Sequence, residues 1–298
     1  MNRQYAEEII GCLPEGRTIF NYYPDRYAWL LLKHLVGSGV SIAAIKRSAY
    51  AGLLQKPRIR QWLAQAGSKR LCAADVLAAD GDPAALAFTL SLGLWDGAQT
   101  TRGGANLVLQ LNFDRGHDAI YQRLVRPKEH CLPFGTRCHP INRVGRNTLA
   151  WSRLDVDMTS GEVLIEEVQT DWLRNVAAAA LNPRLVWGAD ASEENIRAYA
   201  EFALGRYRKL WAEAMLAATI WFVREELGLR RMFYHSPASC LSLKGIVLRQ
   251  PPRSIYTDLP RQFCFAAGSE VPRFLSKKQA QRACDARLYQ LNLETMTA

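Results

Sequence analysis

The chain has 298 residues, room for one large domain or two small ones. Apolar residues make up 49% of it and charged residues 22%, the mixture of a packed globular protein, which argues against a disordered chain. The net charge of +10 is carried by 29 arginines and 9 lysines and points to an anionic partner, nucleic acid or a nucleotide first.

No run of about 18 apolar residues is present, so no membrane partner is expected. The opening Met-Asn-Arg-Gln-Tyr-Ala-Glu-Glu lacks the basic-then-apolar layout of a signal peptide, and cytoplasm is the expected compartment. The seven cysteines are odd in number and scattered, which fits buried thiols rather than a disulfide framework.

Residues 1–80 are expected to form a helical subdomain. Asp25 to Val36 is an amphipathic run that stops at Gly37. Ser41 is placed to cap a second helix ending before Pro57, and Ile59 to Ala66 makes a third. The rest, 81–298, is expected to be an α+β core domain: a mostly antiparallel sheet with one long packed helix. The period changes to two from residue 86, where Phe88, Leu90, Leu92 and Leu94 alternate with smaller residues. After a glycine-bearing turn, Leu107, Leu109, Leu111 and Phe113 repeat the pattern, so a β-hairpin is expected. Residues 127–146 carry Pro127, Pro133, Gly135, Pro140 and Gly145 and are expected to be loop.

A second hairpin is expected from Thr148–Asp157 and Glu162–Asp171, joined by Met158 to Gly161. A short helix over 173–180 follows. Ser192 then caps a long helix with Glu193 and Glu194 in its first turn, closed by Gly228, and Arg231 to His235 makes a strand.

The second hairpin holds the sharpest polar group. Residues two apart on a strand share a face, so Glu167, Gln169 and Asp171 line one side of its second strand and Arg153, Asp155 and Asp157 one side of its first. A simple register sets Arg153 against Glu166, and a slip of one residue sets it against Glu167. Three chemistries use such a group. In a metal-dependent nuclease, carboxylates hold a divalent metal ion, the one cofactor the sequence suggests. In ribosyl transfer from a nucleotide, Glu167 or Asp171 stabilises a ribosyl cation. The third is acyl transfer on a fold resembling the GNAT acetyltransferases, whose core also runs hairpin, helix, strand, although their Gly-rich pyrophosphate loop is missing after Trp172. The ordinary alternative is an exposed cross-strand salt bridge worth under ~1 kcal/mol.

Asn147-Thr-Leu-Ala-Trp-Ser-Arg153, Gly161 and Leu164-Ile-Glu-Glu-Val-Gln-Thr-Asp-Trp172 resemble a segment of large polyvalent proteins of phages and conjugative elements, whose text runs close to Glu-Glu-Ile-Gln-Ser-Asp-Trp. The likeness covers roughly residues 147–235. It implies an effector carried by a mobile element and marks Arg153, Glu166, Glu167, Gln169 and Asp171. That family places no acids where Asp155 and Asp157 stand, which weighs against the nuclease.

Other candidates lie outside the hairpin. The stretch from Arg115 to Arg153 holds eight basic residues against two acids. Its Arg115, Arg123, Arg126, Lys128, Arg143 and Arg146, with Arg102 from the earlier turn, are expected to hold phosphates. His235 ends a strand beside a helix, a fair place for a general acid or base. The pairs His130-Cys131 and Cys138-His139 are spaced poorly for zinc. The expected function is a nucleic-acid- or nucleotide-directed enzyme; the rival is a non-catalytic binding protein.

Overall fold

The computed structural model describes residues 1–12, 18–136, 139, 146–245 and 250–296. Helix α1 (Arg3–Cys12) leads to strand β1 (Thr18–Tyr22). α2 (Arg26–Val36) buries Tyr27 through Leu32 with Leu35 and Val36, and Gly37, at φ 46°, ends it in a conformation that side chains disfavour. The short strands β2 (Val40–Ser41) and β3 (Arg70–Leu71) form a separate ladder around α3 (Ile42–Lys46) and α4 (Pro57–Ala66), and α5 (Ala73–Ala79) follows. Ser41 does cap, its Oγ accepting from Ala44 N at 3.1 Å, but the helix it starts is a single turn and a half.

The main sheet takes β1 together with β4 (Leu86–Trp95), β5 (Asn106–Asn112), β6 (Thr148–Asp157), β7 (Glu162–Gln169), β8 (Arg231–Tyr234), β9 (Ala266–Ala267) and β10 (Tyr289–Asn292). Their order is β1-β4-β5-β6-β7-β8-β10-β9, and every neighbouring pair is antiparallel except β7 with β8. α6 (Arg115–Val125) lies between β5 and β6 in the chain. α7 (Asp171–Leu181), α8 (Glu193–Tyr207) and α9 (Trp211–Trp221) lie between β7 and β8, and α10 (Pro237–Lys244), α11 (Leu259–Gln262) and α12 (Lys277–Ala286) come after. This is an α+β fold. Among the described residues no helix is long and apolar enough to cross a membrane.

Both expected hairpins are present, and the sheet also takes in residues from the expected helical subdomain. β1 pairs with β4 from Thr18↔Leu90 to Tyr22↔Leu86, and α2 joins the same hydrophobic core as α9. Residues 1–80 and 81–298 thus share one sheet and one core. The long helix expected from Ser192 to Gly228 is two, broken at Arg208–Leu210, where Leu210 N bonds Tyr207 O at 3.0 Å. Its cap is as expected, Ser192 Oγ accepting from Asn195 N at 3.2 Å.

Helices cover both faces of the sheet, so β5 is buried along its whole length. On one face Ser152 Oγ of β6 meets Thr219 Oγ1 of α9 at 2.7 Å. On the other, Leu164 and Phe233 pack with Ala283 of α12, Leu275 and Leu288. Two polar residues of β5 join an internal chain: Gln110 Nε2 donates to Thr148 Oγ1 at 3.1 Å, that hydroxyl donates to Asn112 Oδ1 at 2.8 Å, and Asn112 Nδ2 donates to Ser91 Oγ at 2.8 Å.

Candidate functional site

The hairpin β6–β7 pairs Arg153 with Glu167 and Leu154 with Ile165, leaving Glu166 as an extra residue in a β-bulge. The bulge changes which face each side chain takes. Strict alternation would put Glu167 and Gln169 with Val163 and Ile165, and Glu166 on the opposite side. With the extra residue, Glu166, Glu167 and Gln169 all stand on the face of Leu164, Arg153 and Asp155, away from α9. The expected grouping of Glu167 and Gln169 with Arg153 is present, reached by the bulge, and Glu166 joins them. β7 ends at Gln169, so Asp171 belongs not to the strand but to the first turn of α7, which Thr170 Oγ1 caps by accepting from Leu173 N at 3.2 Å.

Part of this face is sealed. Glu166 accepts from Thr101 N at 2.8 Å through Oε1 and lies 3.2 Å from His235 Nε2 through Oε2. His235 also meets Thr101 Oγ1 and Ser239 Oγ, each at 3.0 Å. Glu166, His235 and Ser239 are all fully buried. Burial pushes the Glu166 carboxyl up, but His235, Lys244 and the Thr101 amide outweigh it and hold it at about 2. Burial keeps His235 below its ordinary value. Glu166 and His235, both expected to be catalytic, are closed off from solvent and link β7, β8, α10 and the 96–105 turn.

Asp155 is buried as well. Arg102 grips it with two donors, Nε to Oδ2 at 2.6 Å and Nη2 to Oδ1 at 3.0 Å, while its guanidinium lies over the Phe274 ring. Arg102 is expected from sequence to hold phosphate; its fork is committed to Asp155 instead. Asp157 accepts from Ser160 N in the hairpin turn at 2.8 Å.

Beyond the sealed region a cleft opens. The parallel pairing of β7 with β8 ends at Ile165↔Tyr234, whereas β7 runs on to Gln169. The space past this point is a cleft of about 640 Å³, lined among others by Glu167, Gln169, Arg174, Arg208, Trp211 and Tyr256. Glu167 forms part of its wall. Its Oε2 takes Arg153 Nη2 at 2.9 Å and Lys244 Nζ at 3.6 Å. Both cations are buried, Arg153 2% and Lys244 7% exposed, so the carboxylate is their counter-charge.

Asp171 is a hub just past the same end of β7. Its carboxylate is buried and receives Gln169 Nε2 at 2.8 Å, Trp151 Nε1 at 3.1 Å and Arg174 Nη2, and His139 Nδ1 lies 2.6 Å away. Burial pushes this carboxyl up, but His139, Trp151 and Arg174 bring it below its ordinary value. A second cavity of about 360 Å³ lies against Asp171, lined also by Asp118, Arg146, Asn147 and Trp172.

Four of these acids thus have a base of their own: Arg102 on Asp155, His235 on Glu166, Arg153 and Lys244 on Glu167, His139 and Arg174 on Asp171. Among the described residues no three His, Cys, Asp or Glu side chains gather as metal ligands. This arrangement does not favour the nuclease, which needs carboxylates free to share a cation. Of the expected phosphate-binding residues, Arg115, Arg123, Arg126 and Lys128 are exposed on or just after α6. Arg146 donates to Thr89 Oγ1 at 2.8 Å and lines the smaller cavity. Arg143 lies outside the described residues, as does Cys138 of the poorly spaced zinc set.

Compared with protein-family models, curated proteins and solved structures, the chain matches none. The site is therefore read from its own chemistry. Sequence reasoning missed Lys244, Arg208 and Trp211, which come from distant segments, and saw His139 only as a metal ligand. The one available signal was that acids outnumber bases in 162–171, so their counter-charges had to come from elsewhere.

Proposed function

We propose that the protein is a group-transfer enzyme that takes a nucleotide-bearing donor in the cleft beyond the parting of β7 and β8. One observation carries this reading: Glu167, a carboxylate fixed by two buried cations, stands in the wall of a 640 Å³ cleft, a size usual for small-ligand sites. Both cations sit on Oε2, and Oε1, without a partner among the described residues, is the oxygen that meets positive charge developing on a ribosyl carbon as its glycosidic bond loosens. Arg174 and Arg208 suit the donor's phosphates, the rings of Trp211 and Tyr256 suit its base, and Gln169 suits a polar edge. The resemblance to phage and conjugative-element proteins suggests a mobile-element effector, with nucleic acid or protein as the recipient.

Acyl transfer is the second reading, and topology favours it. An antiparallel run ends in a parallel pair, β7 and β8, with helices between them in the chain, and the cleft lies where that pair parts. The GNAT resemblance implies the same order, and coenzyme A is itself a nucleotide. Against it stands the missing Gly-rich loop. Calorimetric titration with ADP-ribose and with coenzyme A separates the two. ADP-ribose binding that is lost on blocking the cleft supports ribosyl transfer, preference for coenzyme A supports acyl transfer, and binding of neither sinks the proposal.

A further inference from the structure

We infer that His139 is a proton-transfer residue oriented by Asp171, and that the smaller cavity beside the pair takes a hydroxyl- or amine-bearing acceptor. This rests on the group-transfer reading. His139 Nδ1 lies 2.6 Å from Asp171 Oδ2. A carboxylate only accepts, so at 2.6 Å Nδ1 carries the proton and donates it, and Gln169 Nε2, 3.2 Å from the same nitrogen, donates to Asp171 Oδ1 instead. That fixes the tautomer and leaves Nε2 as the acceptor, and it has no partner among the described residues. Gln169 Nε2 and Trp151 Nε1 hold Asp171 in turn, and the Trp151 ring meets the His139 ring edge-on at 5.6 Å. The imidazole is thus set in one orientation.

Asp171 brings the pair to the edge of the smaller cavity, which gives it a task. Asp171 lines the 360 Å³ cavity, and its neighbours Gln169, Thr170 and Arg174 line the 640 Å³ cleft. The transfer requires an acceptor in the cavity to reach a donor carbon in the cleft past the start of α7. As the acceptor's lone pair forms the new bond to the donor carbon, its proton passes to His139 Nε2. The donor's leaving group departs with the electron pair of the broken bond, and Asp171 stays ionised opposite the imidazolium. The cavity wall suits a polar acceptor with a flat apolar side, since Asn147 and Thr148 line it together with Trp172 and Phe134.

Carbethoxylation by diethyl pyrocarbonate, mapped by peptide mass spectrometry, tests the pair without an assay for the reaction. His117 and His235 are buried and act as unreactive controls, and His130, 90% exposed, sets the rate of an open histidine. His139, 26% exposed, is expected to react at least as fast as His130. Asp171→Asn keeps volume but removes the charge and one of the two acceptor oxygens, and is expected to slow His139 about tenfold while His130 is unchanged. Asp171→Glu is expected to restore part of the rate, and thermal unfolding checks that each variant is folded. A mere tether would behave in the opposite way: freeing the ring raises its exposure and its rate. A faster or unchanged His139 in Asp171→Asn, or an inert one in the wild type, overturns the proposal. An inert His139 with ADP-ribose still bound fails the dyad alone. A reactive, Asp171-dependent His139 without ADP-ribose or coenzyme A binding supports the dyad and fails the donor cleft.

Discussion

Arg153 Nη2 donates to Glu167 Oε2 at 2.9 Å across β6 and β7, and the bulge at Glu166 makes that pairing possible. Without the bulge, Arg153 would face Glu166, and Glu167 would point at α9. With it, two adjacent glutamates leave the strand on one face and take different partners. One, with His235, locks the sheet to α10; the other stands in the cleft wall.

The Arg153–Glu167 pair is mostly buried, so it should behave unlike the exposed bridge the hairpin sequence allows. Glu167→Gln leaves Arg153 and Lys244 as buried cations without their anion. We expect a loss of about 2–4 kcal/mol in urea unfolding, against under ~1 kcal/mol for an exposed pair. Adding Arg153→Met is expected to recover part of that loss, since one stranded charge is then gone. A loss for Glu167→Gln of only a few tenths would show the group to be solvated and would remove it from the floor of the argument about charge.

Arg208 is exposed and lines the cleft, so it separates binding from folding. Arg208→Ala should leave unfolding within about 0.5 kcal/mol of wild type. It should weaken ADP-ribose binding by about tenfold, the share of one charge-assisted contact to phosphate. Unaltered affinity would mean that the donor's phosphates lie elsewhere.

How far the sequence foretold this site follows from the range of each signal. The two hairpins and the caps at Ser41 and Ser192 rest on residues a few positions apart, and these were legible. β1 was not, because Thr18–Tyr22 is short and gains its place only by pairing with β4 some 70 residues on. The bulge was half-legible: Glu166-Glu167 allowed two registers, and only the cations on the facing elements decide between them. Lys244 reaches Glu167 from α10 and donates to Glu166 O at 3.1 Å, a contact no local pattern announces. His139 was visible as a residue but not as a partner of Asp171, since 32 positions separate them.

The exposed cations of α6 carry the nucleic-acid expectation. If Arg115, Arg123, Arg126 and Lys128 contact phosphates, affinity for a mixed-sequence oligonucleotide should fall steeply with salt, by counterion release. Replacing Arg123, Arg126 and Lys128 with Ala should then flatten the log–log slope by roughly 2–3 units. An affinity indifferent to salt, or no binding at low salt, would leave these residues as a solvated surface.

Stability should fall on mild acidification, and the buried histidines set the direction. Burial lowers His34, to about 4, and also lowers His117 and His235, each from an ordinary value of 6.5. A group whose folded value lies below its unfolded one binds its proton more readily when unfolded. Its stabilising effect is therefore complete above pH 6.5 and shrinks as pH falls towards the folded value. Each such group contributes at most about 1.4 kcal/mol per pH unit in that window. Asp155 and Glu213, raised by burial, pull the other way as they take up protons in the folded state. Replacing one histidine isolates its share. His34 is the best choice, because it lies at the edge of the core and its one ion-pair partner, Glu225 at 3.4 Å, also pairs with Lys33. Thermal unfolding of wild type between pH 7 and pH 5 should show a falling midpoint, and His34→Gln should show a shallower fall over the same range. Parallel curves would mean that His34 titrates alike in both states and that its burial does not govern the acid response.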